Sequence, residues 1–385
     1  IFMRIVIAPD KFKGCLTAAQ VAEAVAAGCR DVEPDAEIHL HPMSDGGEGF
    51  VEALVRATDG KLVHTNVTGP LPEHRIDATY GILGCVNSSA LSPCAVIEMS
   101  SASGIALLQT DELNPLATTT FGTGELIVHA IKSGAKHILL GIGGSATIDA
   151  GIGAAQACGF TILMKDGSSI SRSEPLCGRD IGNVLMIKHG RGEITGGISI
   201  TVACDVTNPL YGSNGAAAIY GPQKGATRDD IAFFDQAFES LAKRMNIEHV
   251  AKTPGAGAAG GLGFGMLAFF NSKLEPGFNI VASATQLHVK LQHADLVITG
   301  EGRFDHSSLQ GKVASGVADL ASAAKIDCIA ICGDRDNTIA DPRFTRIAAL
   351  TDVVSKEIAM AETISQLRQR TATVCAEWTA KRKCS

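Results

Sequence analysis

The chain has 385 residues, of which 45% are hydrophobic, 19% charged and 42 are glycine, with a formal charge of -7. At roughly 150 residues per domain, this length implies two or three domains with cores large enough to need neither disulfides nor a metal. The composition excludes a disordered chain, and the acidic balance argues against nucleic acid or an anionic membrane surface as a partner.

No signal peptide is expected ahead of Met3, and Ile1-Phe2 read as an appendage. Residues 3–8 form a short apolar run ending at Pro9-Asp10, as a buried parallel strand does. Thr17 and Gln20 predict a capping box opening an alanine-rich helix to about Arg30. Residues 36–40 read as a second strand. Asp45 and Glu48 then predict another capping box, with a helix to about Ala57. Between Lys61 and Met99 the β-branched content predicts strands joined by turns. A helix over 124–133 and a buried strand over 137–140 follow, and the strand runs into Gly141-Ile-Gly-Gly-Ser-Ala-Thr147 with Asp149 beyond.

Residues 160–200 alternate weak strands and loops, and 198–203 read as a strand ending at Cys204-Asp205. Helices are predicted over 228–245 and 259–270. The uncharged run between Lys252 and Lys273 is too broken by Pro254 and six glycines to span a membrane. From Leu287 a strand–helix rhythm returns: a strand over 295–299, a helix over 311–324, a strand over 326–332, and a surface helix over 362–383. The ends resemble each other in rhythm more than the middle. The expected organisation is a discontinuous doubly wound α/β domain, 1–60 with 285–385, carrying an inserted α/β domain over 61–284.

The eleven cysteines contain no Cys-x-x-Cys pair. Cys15, Cys29, Cys158, Cys204, Cys328 and Cys332 sit among small and apolar residues, which predicts packed free thiols and a reducing, cytoplasmic setting.

Four predicted strands end in polar, glycine-bearing loops: 9–13, 141–149, 204–208 and 299–305. Ligands of open α/β sheets bind beyond the carboxyl ends of strands. The 141–147 loop is the strongest phosphate cradle, because glycine backbone N–H groups, hydroxyls and a helix start all favour an anion. It also matches G-x-G-x-x-A, with Asp166 about twenty residues on in the place of a ribose carboxylate. That match keeps an NAD(P)-dependent oxidoreductase as an alternative, beside a non-catalytic carboxylate-binding protein. Gly255-Ala-Gly-Ala-Ala-Gly260 is a second formal match, read equally as dense packing or a hinge. Walker A, nucleophile-elbow and HExxH motifs are absent from the sequence.

Eight segments, read in order, resemble a known family. They are Ile7-Ala-Pro-Asp-Lys-Phe-Lys-Gly14, Ser44-Asp-Gly-Gly-Glu-Gly49, Phe121-Gly-Thr-Gly-Glu-Leu126, Gly141-Ile-Gly-Gly-Ser-Ala-Thr147, Ala203-Cys-Asp-Val-Thr-Asn-Pro-Leu210, Gly221-Pro-Gln-Lys-Gly-Ala226, Pro254-Gly-Ala-Gly-Ala-Ala-Gly-Gly261 and Val297-Ile-Thr-Gly-Glu-Gly-Arg303. Together they resemble the type-1 glycerate kinases of bacteria. The resemblance implies a flavodoxin-like domain built from both chain ends with an inserted α/β domain. It also implies ATP-dependent phosphorylation of D-glycerate, with 2-phosphoglycerate the usual product.

On that footing Gly143, Gly144, Ser145 and Thr147 are expected to cradle the ATP phosphates. Asp45 and Glu301 are the expected Mg²⁺ residues. Asp205 is expected to accept the proton of the glycerate hydroxyl or to orient it. Arg303 suits the glycerate carboxylate, with Lys11 second. Lys11 also joins Asp205 and Arg303 as a catalytic candidate, with Lys13 and Lys312 as further cations, and Asp10 and Asn208 complete the expected substrate contacts. The expected partners are small molecules, with a homo-oligomer left open.

Overall fold

The computed structural model describes residues 2–84, 93–170, 174–190, 194–309 and 312–384. The chain divides into two compact units, residues 1–45 with 278–385 and residues 46–277.

The first unit holds a five-stranded, all-parallel sheet in the order Arg346–Ala349, Asp327–Cys332, Leu296–Thr299, Arg4–Ile7, Glu37–Leu40. Numbered along the chain within this unit, the strands lie 2-1-3-4-5, which is the flavodoxin-like order. Continuous apolar runs explain it, since Ile5, Ile7, Leu296, Ile298, Ile329 and Ile331 are all buried in one core. Ile5 lies opposite Leu296 and Val6 opposite both Val297 and His39. The order reverses between Arg4–Ile7 and Leu296–Thr299. There the Asp10 N–H donates to the Gly300 carbonyl at 2.8 Å, tying the two strand exits together.

The expected Thr17–Gln20 capping box is present and opens the helix Ala18–Val32. Such a cap is worth about 1 kcal/mol. This helix lies against the long helix Thr363–Cys384. Gly28 permits the contact, because a Cβ there would collide with the Arg368 carbonyl. Arg368 closes it from outside with a two-pronged pair to Asp31 at 2.6 Å.

The second unit has a six-stranded sheet in the order Lys273–Glu275, Ser199–Ala203, His137–Gly141, Cys94–Glu98, Arg75–Ile82, Lys61–Thr68. The first four are mutually parallel and the last two turn antiparallel. A small antiparallel sheet, Ser169–Ile170, Thr161–Met164 and Val184–Lys188, lies in the same unit.

The division falls earlier than the sequence rhythm suggests. Residues 46–60 belong to the second unit because the apolar face of helix Phe50–Ala57 packs on its sheet, with Val51 and Val55 over Gly81. Residues 278–284 belong to the first unit. Phe278 lies against Gly316 of the helix Val313–Ala324. The predicted start of that helix at Gly311 lies outside the described residues.

The second predicted capping box does not form. Gly46 and Gly49 both take φ of 90°, so the chain turns twice before the helix starts at Phe50. Gly49, in the left-handed conformation, occupies the cap position and no side chain caps the helix. Gly46 is also held against Ala203, where a Cβ would come within 2.5 Å of the Ala203 Cβ.

Cys15, Cys29, Cys94, Cys158, Cys177, Cys204, Cys328, Cys332 and Cys375 form no disulfide among the described residues; Cys29, Cys158, Cys328 and Cys332 are buried, whereas Cys204 is half-buried and Cys15 exposed. Within the same residues no helix is long and apolar enough to cross a membrane.

Candidate active site

In the first unit, the strand exits at the order reversal open into a pocket of about 400 Å³. Asp10, Lys11, Lys13, Asp45, Glu301, Arg303 and Lys312 all line it. Five of the expected functional residues, Asp10, Lys11, Asp45, Glu301 and Arg303, thus meet in one cavity. Phe12, Leu350, Ala359 and Met360 supply an apolar wall, and Lys356 adds a further cation.

Of the carboxylates Asp10 lies deepest, while Asp45 and Glu301 are half-buried. Asp10 is only 9% exposed, and its Oδ1 accepts the Lys11 N–H at 2.7 Å. Burial, and then the Asp45 carboxylate, push the Asp10 carboxyl from 3.8 up to about 7, against the pull of Lys11. Burial likewise raises Glu301 from 4.5 to about 7, although the Ser308 hydroxyl and Lys312 favour its charged form. Glu301 Oε1 is buried and meets no hydrogen-bond partner among the described residues. Lys13 and Arg303 lie nearer solvent, whereas Lys11 and Lys312 are half-buried. Arg303 is exposed on the short strand Arg303–Phe304, with Nε 3.8 Å from Asp305. Lys312 Nζ donates to Ser307 Oγ at 2.9 Å.

An orphaned carboxylate oxygen beside two further acids is an arrangement that a hard cation relieves. Among the described residues no three His, Cys, Asp or Glu side chains form a ready metal cage. A cation that keeps waters and phosphate oxygens as ligands, as Mg²⁺ does, needs only one or two such carboxylates.

The second unit carries the other expected residues. The strand His137–Gly141 runs into the 142–149 loop, where Gly143 is half-buried and Gly144 exposed. Gly144 has φ of 72°. The loop is braced from one side by the Ile105 N–H on the Gly144 carbonyl at 2.8 Å and the Ala146 N–H on the Ser103 carbonyl at 2.9 Å. Ser145 is 8% exposed, whereas Thr147 is fully buried with a hydroxyl that meets no partner among the described residues. The structure thus leaves the Gly143 and Gly144 backbone and the edge of Ser145 accessible, and Thr147 below the surface.

Two residues around this loop were not singled out from sequence. Lys224 is 1% exposed and donates from Nζ to Ser145 Oγ at 2.6 Å and to the Thr147 carbonyl at 2.7 Å. Burial drives its pKa down to about 7, with Asp149 pulling the other way. Asp149 is fully buried and accepts from Thr120 N, Thr120 Oγ1, Gly151 N and Gly153 N. Burial raises its pKa while these donors favour the carboxylate. The sequence signal for Lys224 was a lysine inside a Gly-Pro-Gln-Lys-Gly turn, and nothing local marks it as buried.

Asp205 is exposed on the loop beyond strand Ser199–Ala203, and its Oδ1 accepts the Gly277 N–H at 3.0 Å. Asn208 Nδ2 donates to the Asn214 carbonyl at 2.9 Å while its Oδ1 accepts from Tyr220 OH at 2.7 Å, so both ends of the amide organise the 208–220 segment.

Neither glycine match builds a dinucleotide site. Asp166 is exposed in the turn between Thr161–Met164 and Ser169–Ile170, where it accepts the Ser168 N–H. The second match opens the helix Ala258–Phe269 with left-handed residues at Ala259, Gly260 and Gly261. Gly260 packs so closely on the Thr147 carbonyl that a Cβ could not fit. Gly257 packs equally closely on the Pro209 carbonyl, so the motif's glycines serve packing, Gly260 alone behind the 142–149 loop.

A flavodoxin-order sheet with acids and bases at its reversal point, joined in one chain to an α/β unit with a glycine loop, defines an α/β phosphotransferase. The family profile described as "Glycerate kinase family" matches residues 5–380, and the chain belongs to that family. It is similar to the glycerate kinase of Halalkalibacterium halodurans, 44% identical over 86% of this chain and 85% of that protein. It is 43% identical to the glycerate 2-kinase of Escherichia coli K12, over 86% of this chain and 85% of that one. A crystal structure from Salmonella typhimurium LT2, assigned as a glycerate kinase 2, matches with a TM-score of 0.84 at 39% identity over 100% of both chains.

Proposed function

We propose that this member of the glycerate kinase family transfers the γ-phosphoryl group of ATP to the 2-hydroxyl of D-glycerate, with Mg²⁺. The observation that carries the reading is the pocket at the sheet's reversal point, which Lys11, Lys13, Arg303 and Lys312 line together with Asp10, Asp45 and Glu301. Such a set suits a small carboxylate and a phosphorylated co-substrate together. The 43% identity to a glycerate 2-kinase favours the 2-position.

Phosphoryl transfer asks a protein for positioning and charge neutralisation more than for covalent chemistry. Arg303 holds the glycerate carboxylate, its planar fork matching the two oxygens, with Lys11 beside it. Asp10 faces the substrate from the pocket floor. Asp45 and Glu301 are the residues that would hold Mg²⁺, which when bound neutralises phosphate charge. In the second unit the Gly143 and Gly144 N–H groups and Ser145 contact the ATP phosphates, and Thr147 supports them from beneath. Asp205 accepts or orients the proton of the 2-hydroxyl. The hydroxyl oxygen bonds to the γ-phosphorus as the bond to the bridging oxygen of ADP breaks. The free thiols of the described residues support a cytoplasmic setting.

The test is phosphorus NMR of the product formed from D-glycerate and ATP. A phosphate coupled to the single C2 proton is expected, and coupling to the two C3 protons would reject the 2-position. Arg303→Lys is expected to raise KM for glycerate about tenfold, the worth of a charge-assisted hydrogen bond, with KM for ATP little changed. The opposite pattern would assign Arg303 to the nucleotide.

A further inference from the structure

We infer that Lys224 is the positioning residue of the 143–147 loop, holding Ser145 so that its hydroxyl proton points outward as a dedicated donor to a phosphate oxygen. The inference rests on the reading above that this loop receives ATP phosphates.

The argument begins with the hydroxyl. Serine Oγ has one proton to give and two lone pairs to accept with. The Lys224 Nζ sits 2.6 Å from Ser145 Oγ and, as an ammonium with donors only, occupies one of its lone pairs. The hydroxyl proton is thereby directed away from Lys224. A second N–H bonds the Thr147 carbonyl at 2.7 Å, so one side chain grips the loop at both ends of Ser145-Ala146-Thr147. The neutral amine would also offer a lone pair able to accept the Ser145 proton, so the outward orientation belongs to the ammonium form.

Burying a lysine completely is unfavourable unless its polar atoms are satisfied, and the chain goes to some length to place it. Lys224 ends the single turn Pro222–Lys224, and Gly225 follows at φ of 86°, packed too tightly on the Leu113 carbonyl to admit a Cβ. Gly260 packs on the Thr147 carbonyl at the same point. A loop that served only as a connection would not need a buried amine beneath it.

The experiment compares Lys224→Met, Lys224→Gln and Ser145→Ala, each checked for folding by thermal melting. Calorimetry reads the affinities for the ATP analogue AMP-PNP and for D-glycerate separately. The Lys224 variants are expected to bind AMP-PNP about tenfold more weakly, as loss of one charge-assisted hydrogen bond implies, with glycerate affinity unchanged. Ser145→Ala is expected to show the same selective loss, and Lys224→Met with Ser145→Ala combined no more than either alone. Equal weakening of both ligands would mean a general structural role and overturn the inference. Normal AMP-PNP binding by folded Lys224 variants, with Ser145→Ala impaired, would overturn it while leaving the loop reading standing. Normal binding by all three would overturn the loop reading itself. Should neither Lys224 variant fold, ¹³C-labelled lysine in the intact protein decides. The buried lysine signal is expected to move with AMP-PNP and not with glycerate, and indifference to AMP-PNP would overturn the inference.

Discussion

Asp205→Asn is expected to fold normally and to lose roughly 10²-fold or more in kcat, the usual cost of removing an acid–base partner. The substitution is informative because of what the aspartate already does. Its Oδ1 accepts the Gly277 N–H at 3.0 Å, at the start of the helix Gly277–Ala284. Asparagine keeps an acceptor oxygen for that bond, so the helix start is preserved. What asparagine lacks is the carboxylate's charge and its capacity to take a proton. A lower kcat with an unchanged melting temperature therefore reports on chemistry. Asp205→Ala would remove both contributions and is expected to cost stability as well. Wild-type turnover by folded Asp205→Asn would reduce Asp205 to an anchor for the Gly277 backbone.

The second large effect is expected at Glu301, where stability and activity move in opposite directions. Glu301 titrates near 7 in the folded protein, raised chiefly by burial from an ordinary 4.5. Between these values the folded chain binds more protons than the unfolded chain. The contribution of this group to stability is thus greatest below about pH 4.5 and declines as pH rises through 7. Above pH 7 the metal-free protein carries a buried carboxylate with an unsatisfied Oε1. Glu301→Gln removes that charge. It is expected to raise the melting temperature of the metal-free protein at pH 8 by ~2–4 °C for each kcal/mol recovered, and to leave it little changed at pH 4. Activity is expected to fall at least by the roughly 10- to 100-fold that loss of an outer-shell partner costs a metal site, with a higher half-saturating Mg²⁺ concentration. Unchanged Mg²⁺ dependence would move the cation away from Glu301. An unchanged pH-stability slope would contradict the burial argument.

Much of this arrangement was legible before any coordinates. Short apolar runs such as residues 5–8 and 328–332 read as strands buried on both faces, and both are. The Thr17–Gln20 box and the helix Arg228–Met245 are dictated by short-range chemistry, and both stand where expected. The polar residues at strand ends mark the site because an open parallel sheet binds ligands there.

What stayed hidden depends on partners distant in sequence. Lys273–Glu275 is three residues long and is a strand only because Ser199–Ala203 offers it an edge. Asp45 and Glu48 satisfy the capping-box spacing, but Gly46 and Gly49 carry the backbone elsewhere, and local spacing does not register a positive φ two residues away. Lys224 looks like any surface lysine until Ser145 and Thr147, nearly eighty residues earlier, are brought onto it. Thr147 looked like an accessible hydroxyl for the same reason and is buried. Burial is a tertiary property, and the polar groups most affected by it are those that sequence patterns describe least.

The most direct test of the account is to incubate the wild-type protein with ATP, Mg²⁺ and D-glycerate and to measure ADP and phosphoglycerate in the same sample. One phosphoglycerate per ADP, with neither formed when glycerate is left out, is the predicted result. No turnover by folded protein with D-glycerate, L-glycerate or related hydroxy acids, or ADP released without phosphoglycerate, would contradict it.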